Sequence, residues 1–459
     1  MTFARQVLSV DELRGQLKGS ILTPADPDYD AARRGWLLTV DQYPAVIVIA
    51  NDAQDVVAAV RFARDLGLGV SVQSTGHGLK IPVDEGVLII TKRMKGLQIN
   101  AASRTARAEA GVVWEQVIAA AAEFGLAPLV GTSPHVGVMG YSLGGGIGWL
   151  ARKYGLAADS VHGIEIVTPD GELRRASATE NRDLFWGVRG SGGNFGVVTA
   201  IEFSLYPVAT IYGGNLSYPG HLAGEVLRFY REWTKQLAEE ITSSLTLVKI
   251  PSLPQVPEEM RGRMSVILKA VYVGDAAAGA AMIQPWLDWQ TPTSNTFKDM
   301  PFTEIGTVAN DPVDPSPGYP SSEMLDELSD EAIAVMVRYA TNPGSPLTIS
   351  ELRHAGGAIT RADRSANAIG NRDAQFYMTM AGLAPTVEAR TAVEAYIQRY
   401  SADLKPYLRG GVYLNFVRGS ELGKRTKDAY SAESLARLVA LKQQYDPANM
   451  FRYSYRLVE

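Results

Sequence analysis

The chain has 459 residues, 46% of them hydrophobic and 8% aromatic, a formal net charge of -5 and no cysteine. That length is too great for one ordinary core and predicts two or three lobes; the mild acidity and the lack of any basic run exclude a nucleic-acid footprint. Without cysteine there are no disulfides, thiolate metal sites or cysteine nucleophiles, which suits a cytoplasmic protein.

The five histidines, at 77, 135, 162, 221 and 354, form no HxH or HxxxH pair, so no metal site is expected. No stretch approaches the roughly 20 apolar residues that span a bilayer. The opening MTFARQVLSVDELRGQLKGS lacks the basic, apolar, small-residue order of a secretory signal.

Residues 1–42 read as a short helix, DELRGQLK, followed by a polar loop. YPAVIVIA (43–50) is a short apolar strand, and AQDVVAAVRFARDLG (53–67) carries apolar residues at helical spacing up to a closing glycine. GVSVQST (69–75) and VLIITKRM (87–94) are strands again. This β-α-β order delivers Gly76-His77-Gly78 at the carboxyl end of a strand, where α/β sheets hold ligands. Residues 96–113 read as a hairpin, and VWEQVIAAAAEFG as a helix closed by Gly125.

The segment GTSPHVGVMGYSLGGGIG (131–148) follows, and its glycine density predicts neither an ordinary helix nor an ordinary strand. Linkers are polar, whereas this stretch carries Val136, Val138, Met139, Leu143 and Ile147; it is expected to be packed, with backbone N–H groups free to line an anion. IEIVTPDGELRRASA (164–178) is a hairpin turning at Pro-Asp-Gly. DLFWGVRGSGGNFGVVTAIEFSLYPV (183–208) is a short helix, a second glycine cluster and a strand.

From about 210, strands such as SLTLVKI and MSVILKAVYVG alternate with amphipathic helices, predicting an antiparallel sheet backed by helices. The Pro-rich DPVDPSPGYPSS (311–322) reads as a surface loop. A helix at 387–400, the segment GVYLNFV, a helix SAESLARLVALKQQ and the tail YDPANMFRYSYRL complete the chain; that tail is expected to dock.

Taken together, STGHG, the 131–148 segment, DLFWGVRGSGGNFGVVT, ELRHAGGA, and YLNF with YDPANMF resemble the berberine-bridge-enzyme-like branch of the vanillyl-alcohol-oxidase (PCMH-type) flavoproteins, in its bacterial form. The resemblance runs over nearly the full chain. It implies an α+β fold with a two-subdomain FAD-binding part at 1–209, a substrate part at 210–404 and a returning segment at 405–459. A dinucleotide fold of the Rossmann kind is not indicated, because no GxGxxG directly follows the first strand.

The resemblance also implies residue roles. His77 matches the histidine that bonds covalently to the flavin 8α carbon; the other reading is a loop histidine beside non-covalent FAD. A second, cysteinyl link is excluded, because Ser133 stands at the matching position and a serine hydroxyl needs an activating base. The monocovalent site implies a small or medium substrate. The diphosphate is expected on backbone N–H groups of Ser74, Thr75, Gly76, His77 and Gly78. Further cofactor contacts are expected from Gly131, Thr132, Gly137, Gly140, Tyr141, Ser142, Gly144, Gly145, Gly148 and Val198. Val136 and Gly137 leave room for O2, favouring an oxidase over a dehydrogenase.

Tyr413, in Tyr413-Leu414-Asn415-Phe416, matches a recurrent candidate base, with Phe416 replacing a second tyrosine; a pocket wall is the alternative. An ordinary phenol titrates near 10, so the site would have to lower it. Asn415 is expected at the flavin edge. His135 and Tyr141 flank the flavin loop. His354 is expected to be a satisfied sheet histidine, and Arg189 and Asn194 to be structural. The implied reaction is hydride removal from an alcohol or amine carbon of a small-molecule substrate, a secondary metabolite, with O2 as acceptor and H2O2 as product. The alternatives are a dehydrogenase with another acceptor or a sugar or oligosaccharide oxidase. A monomer or homodimer is expected.

Overall fold

The computed structural model describes residues 9–251, 256, 258–417 and 421–457. Among these residues three sheets form. The first contains β1 (Ser20–Leu22), β2 (Val46–Ile49), β3 (Val70–Gln73) and β4 (Val87–Ile90), in the order β1-β2-β4-β3. β4 runs parallel to both β2 and β3. Parallel strands are covered on both faces, which is why VIVI and VLII are apolar and buried at every position. The crossover from β2 is the helix Ala53–Leu66, whose first N–H groups, of Gln54 and Asp55, donate to the Asp52 carboxylate.

The region read as a polar loop contains β1, which is antiparallel to β2. Three residues are too few for periodicity to announce; the partner strand makes them a strand. The first helix, Val10–Arg14, is shorter than expected and ends at Gly15. The first eight residues of the opening segment lie outside the described ones.

The second sheet joins β5 (Leu97–Asn100), β6 (Thr105–Glu109), β7 (Val161–Val167), β8 (Leu173–Ser177) and β9 (Val197–Ser204), in the order β5-β6-β9-β7-β8. Both expected hairpins, β5–β6 and β7–β8, are present and antiparallel.

The glycine-dense segment between them overturns one expectation, because Val138–Leu143 is a helix. Only Gly140 lies in its interior, at a cost of about 1 kcal/mol. Val138, Met139 and Leu143 are buried, and each contributes about 1.5–3 kcal/mol. Burial wins, and most of the glycines fall outside the helix.

The third sheet is made of β10 (Thr210–Pro219), β11 (Ile241–Lys249), β12 (Met264–Tyr272), β13 (Ser294–Asn295), β14 (Lys298–Pro301), β15 (Gly318–Leu325), β16 (Leu347–His354) and β17 (Phe376–Leu383). Its order is β13-β10-β12-β11-β16-β17-β15, with β14 also on β10. Leu216, Leu268, Leu245, Leu352 and Met378 stand in adjacent register. They share one apolar cluster with Tyr230 and Trp286 of the covering helices Ala223–Thr234 and Ala276–Trp289. The alternate positions, among them Ser244, Thr246, Glu351, Arg353 and Thr379, are polar and belong to the opposite face.

The Pro-rich stretch is a loop only as far as 317, since β15 begins at Gly318. Pro320 is tolerated there because β15 is an outer strand, paired only with β17. The loop half folds back on the N-terminal lobe. Leu38 N–H donates to Ser316 O at 3.0 Å and Ser316 N–H to Trp36 O at 3.0 Å.

After the helix Val387–Leu404, the chain returns through the helix Ala432–Tyr445. Met450, Phe451, Tyr455 and Leu457 are buried with residues of the first two sheets, so the tail docks as its composition predicts.

Candidate active site

A cavity of about 390 Å³ opens where the carboxyl end of β3 meets the helix Val138–Leu143, the glycines before β9, the C-terminal tail and β16. Of the residues singled out from sequence, Ser74, Thr75, Gly76, His77, Gly78, Gly131, Thr132, Val136, Gly137, Gly140, Tyr141, Gly144, Val198, Tyr413 and Asn415 all line it.

Ser142, Gly145 and Gly148 are not in the lining. Ser142 is buried on the helix. A Cβ on Gly145 would meet the Tyr413 ring at 2.8 Å, and one on Gly148 would overlap the Val130 carbonyl. Those two glycines are there for close packing. His135 also lies outside the lining, with Nδ1 3.4 Å from Glu115.

The His77 loop is clamped from behind. Gly76 has φ +79, and a Cβ there would overlap Gly35 Cα. Trp36 N–H donates to Thr75 O at 3.1 Å, and Leu37 N–H to Gly76 O at 3.3 Å. The Trp36 indole stacks on the His77 imidazole at 4.2 Å and 14°, while its Nε1–H donates to Val313 O at 2.8 Å. One residue therefore fixes the histidine ring and also ties it to the loop before β15.

The opposite wall is set by Tyr413 and Asn415. The Tyr413 phenol oxygen accepts the N–H groups of Gly146 at 2.6 Å and Ile147 at 3.1 Å. Asn415 Nδ2 donates to Tyr141 O at 3.1 Å. The site does not lower the phenol as the sequence reading required. Burial pushes Tyr413 up, outweighing the backbone donors, the Asn415 amide and the Arg353 charge, all of which favour phenolate.

Several wall residues escaped the sequence reading. Gly192 and Gly193 have consecutive positive φ values of 63 and 94 and line the cavity; successive N–H groups in such a turn make a nest for an anion. Tyr453, Ser454 and Tyr455 of the tail complete that end. Lys80 donates to Leu414 O at 2.6 Å and lies over the Tyr455 ring at 4.0 Å. Arg353 enters from β16. The second glycine cluster was the available signal for Gly192 and Gly193; nothing in the local pattern marked Lys80 or Arg353.

His354, beside Arg353, is buried with Nε2 3.0 Å from Arg152 Nη1. It is a sheet histidine as expected but only half satisfied, because its buried Nδ1 has no hydrogen-bond partner among the described residues. Arg189 donates to Ala366 O and Asn194 to Tyr455 O, both structural roles.

The wall suits a flavin nucleotide. The hydroxyl oxygens of Ser74, Ser133 and Tyr141 are buried at the cavity without a protein partner, so each can bond a bound polar group. Gly78 and Gly140 leave open space where a Cβ would stand. Such a groove, set against an antiparallel sheet backed by helices, offers the donors and the room that a flavin nucleotide requires.

Comparison with known proteins gives the family. Residues 44–177 match the FAD binding domain and residues 412–455 match the berberine and berberine-like segment. The chain is 29% identical to (R)-6-hydroxynicotine oxidase of Paenarthrobacter nicotinovorans, over 96% of this chain and 97% of that protein. Its fold matches Physcomitrella patens BBE-like 1 with a TM-score of 0.86 at 21% identity, covering 98% and 100% of the two chains. It also matches glucooligosaccharide oxidase from Acremonium strictum, described with 6-S-cysteinyl, 8α-N1-histidyl FAD, with a TM-score of 0.82 at 22% identity and coverage of 96% and 97%. The chain is a FAD-linked oxidoreductase that carries the FAD binding domain and the berberine-like segment, and it is similar over nearly its whole length to berberine-bridge-enzyme-like oxidases. No described helix is long and apolar enough to cross a membrane.

Proposed function

We propose that the protein is an oxidase of a small or medium alcohol or amine, with FAD held covalently through His77 alone and O2 as electron acceptor. The observation that carries this is the meeting of His77, held by Trp36, with Tyr413 and Asn415 across one glycine-walled cavity. When bound, FAD supplies the hydride acceptor for the substrate carbon and the route of two electrons to O2, giving H2O2.

The chain's own residues do the rest. The loop Ser74–Gly78 and the nest at Gly192–Gly193 would hold the nucleotide's anionic part. Ser74, Ser133 and Tyr141 would supply hydroxyl partners. Val136 and Gly137 line the cavity, and residues this small would leave room for O2. The chain has no cysteine, and the resemblance matches Ser133 to the cysteinyl position, which supports a single link. Arg353 brings the end of β16 to the cavity, where the sheet would cover the reacting carbon.

Tyr413 takes the substrate proton in this reading, its phenolate held by the Gly146 and Ile147 N–H groups. Because burial raises the phenol, turnover should climb as pH rises into the alkaline range. Asn415 positions Tyr141 and the flavin edge.

The lobes we assign are 1–209 with 405–459 for FAD, and 210–404 for substrate. The apolar cluster confined to 216–404 supports that division. A cytoplasmic monomer or homodimer suits the cysteine-free chain.

The test is anaerobic mixing of the purified protein with alcohols, amines and sugars. Bleaching of the flavin by an alcohol or amine, then recolouring with stoichiometric H2O2 on admitting air, is expected. Bleaching that only an artificial acceptor reverses would make the protein a dehydrogenase.

A further inference from the structure

Arg353 presents a guanidinium fork whose use the reaction above does not explain. It stands half-buried on β16 of the third sheet and lines the cavity beside Tyr413 and Phe416. Its Nε donates to Glu351 Oε2 at 2.8 Å, and its charge lies over the Phe416 ring at 5.3 Å. Glu351 is tied down in turn, accepting from Thr246 Oγ1 at 3.3 Å. These contacts fix the plane of the guanidinium and occupy its Nε edge. Among the described residues the two terminal nitrogens, Nη1 and Nη2, make no hydrogen bond, and the side chain belongs to the cavity wall.

The rest of the wall sharpens the point. Among the described residues, no carboxylate lines the cavity; its charged or chargeable groups other than tyrosines are His77, Lys80 and Arg353. Lys80 is engaged by Leu414 O and the Tyr455 ring. Asp311 and Lys269 act on the Arg353–Glu351 pair only electrostatically and are not in the lining. A planar, pre-oriented fork matches a carboxylate with two parallel N–H···O bonds.

We propose that the substrate is an alcohol or amine that also bears a carboxylate, and that Arg353 is the residue that selects it. Glu351 is the positioning residue that orients the fork. The inference rests on the flavin-oxidase reading and narrows its substrate class. A neutral sugar would leave the paired Nη donors half used, whereas a carboxylate satisfies both.

The holoenzyme is titrated with benzoate and, separately, with benzamide, following the visible flavin spectrum and the heat of binding. Benzoate should bind saturably and at least tenfold more tightly than benzamide. Arg353→Gln should lose that preference, and Arg353→Lys should keep only part of it, since it retains the charge and loses the fork. Equal binding of the two probes to the unaltered protein would overturn the proposal without any variant. So would an unchanged benzoate preference in Arg353→Gln. A variant that loses FAD and keeps the benzoate preference would show that Arg353 serves the cofactor, which also overturns it. A colourless unaltered protein would defeat the flavin reading itself and this inference with it; a yellow one without the preference defeats this inference alone.

Discussion

Replacing Tyr413 with phenylalanine removes one oxygen and almost no volume, so it isolates what the phenol does for the glycine segment. That oxygen accepts two buried backbone N–H groups, from Gly146 at 2.6 Å and Ile147 at 3.1 Å. Each buried donor left without an acceptor costs about 1–3 kcal/mol, so the pair should loosen the segment by about 2–6 kcal/mol. The chain has several lobes, and a single global unfolding energy would not report this cleanly. Amide exchange does. About 1.4 kcal/mol corresponds to a tenfold change in an equilibrium, so the peptide carrying Gly146 and Ile147 should exchange at least roughly 30-fold faster in Tyr413→Phe. Exchange in β10–β12 serves as the internal control and should not move. If turnover collapses while exchange at 144–149 stays within about twofold, the phenol is not an anchor and this account of the wall is wrong.

Three further outcomes are expected. Trp36→Ala removes the stack on His77 and the bond to Val313 O, so the fraction of flavin surviving acid precipitation should fall, while Trp36→Phe, which keeps the stack, should retain most of it. Gly76→Ala places a Cβ at φ +79 against Gly35 Cα, with a strain of about 1–3 kcal/mol, and should lower both the thermal midpoint and flavin content in calorimetry and absorbance. His354, whose pKa is depressed to about 3 by burial and then by the Arg152 charge, stays neutral in the folded protein while the unfolded chain protonates it near 6.5. The unfolded state therefore binds more protons between those values, so stability falls as pH drops below about 6.5, by up to about 1.4 kcal/mol per pH unit. Denaturant midpoints from pH 7 to 4.5 should show that slope, and His354→Gln should flatten it.

What the sequence revealed follows from where the physics is local. The parallel strands announced themselves because burial on both faces demands unbroken runs such as VIVI. The β5–β6 and β7–β8 hairpins carried their alternation in the chain. β1 and the start of β15 did not, because partner strands define them and their own pattern does not.

Composition misled at Val138–Leu143, where glycine density hid a short helix held by three buried side chains. The same division holds at the site. Glycine loops and the His77 turn are written in consecutive residues, whereas Arg353 and Lys80 are brought to the cavity by strand register and by the returning tail. Gly145 and Gly148 show the limit of reading a glycine as a ligand contact: both are required, and both are required by protein neighbours.

The bond at His77 is the claim on which the rest depends. Purified protein and His77→Ala, each expressed with ample riboflavin, should be precipitated in acid and the flavin absorbance of pellet and supernatant compared. The account predicts a yellow pellet for the unaltered protein and, for His77→Ala, a colourless pellet with any flavin released to the supernatant. A colourless pellet from the unaltered protein, or a yellow one from His77→Ala, would contradict it.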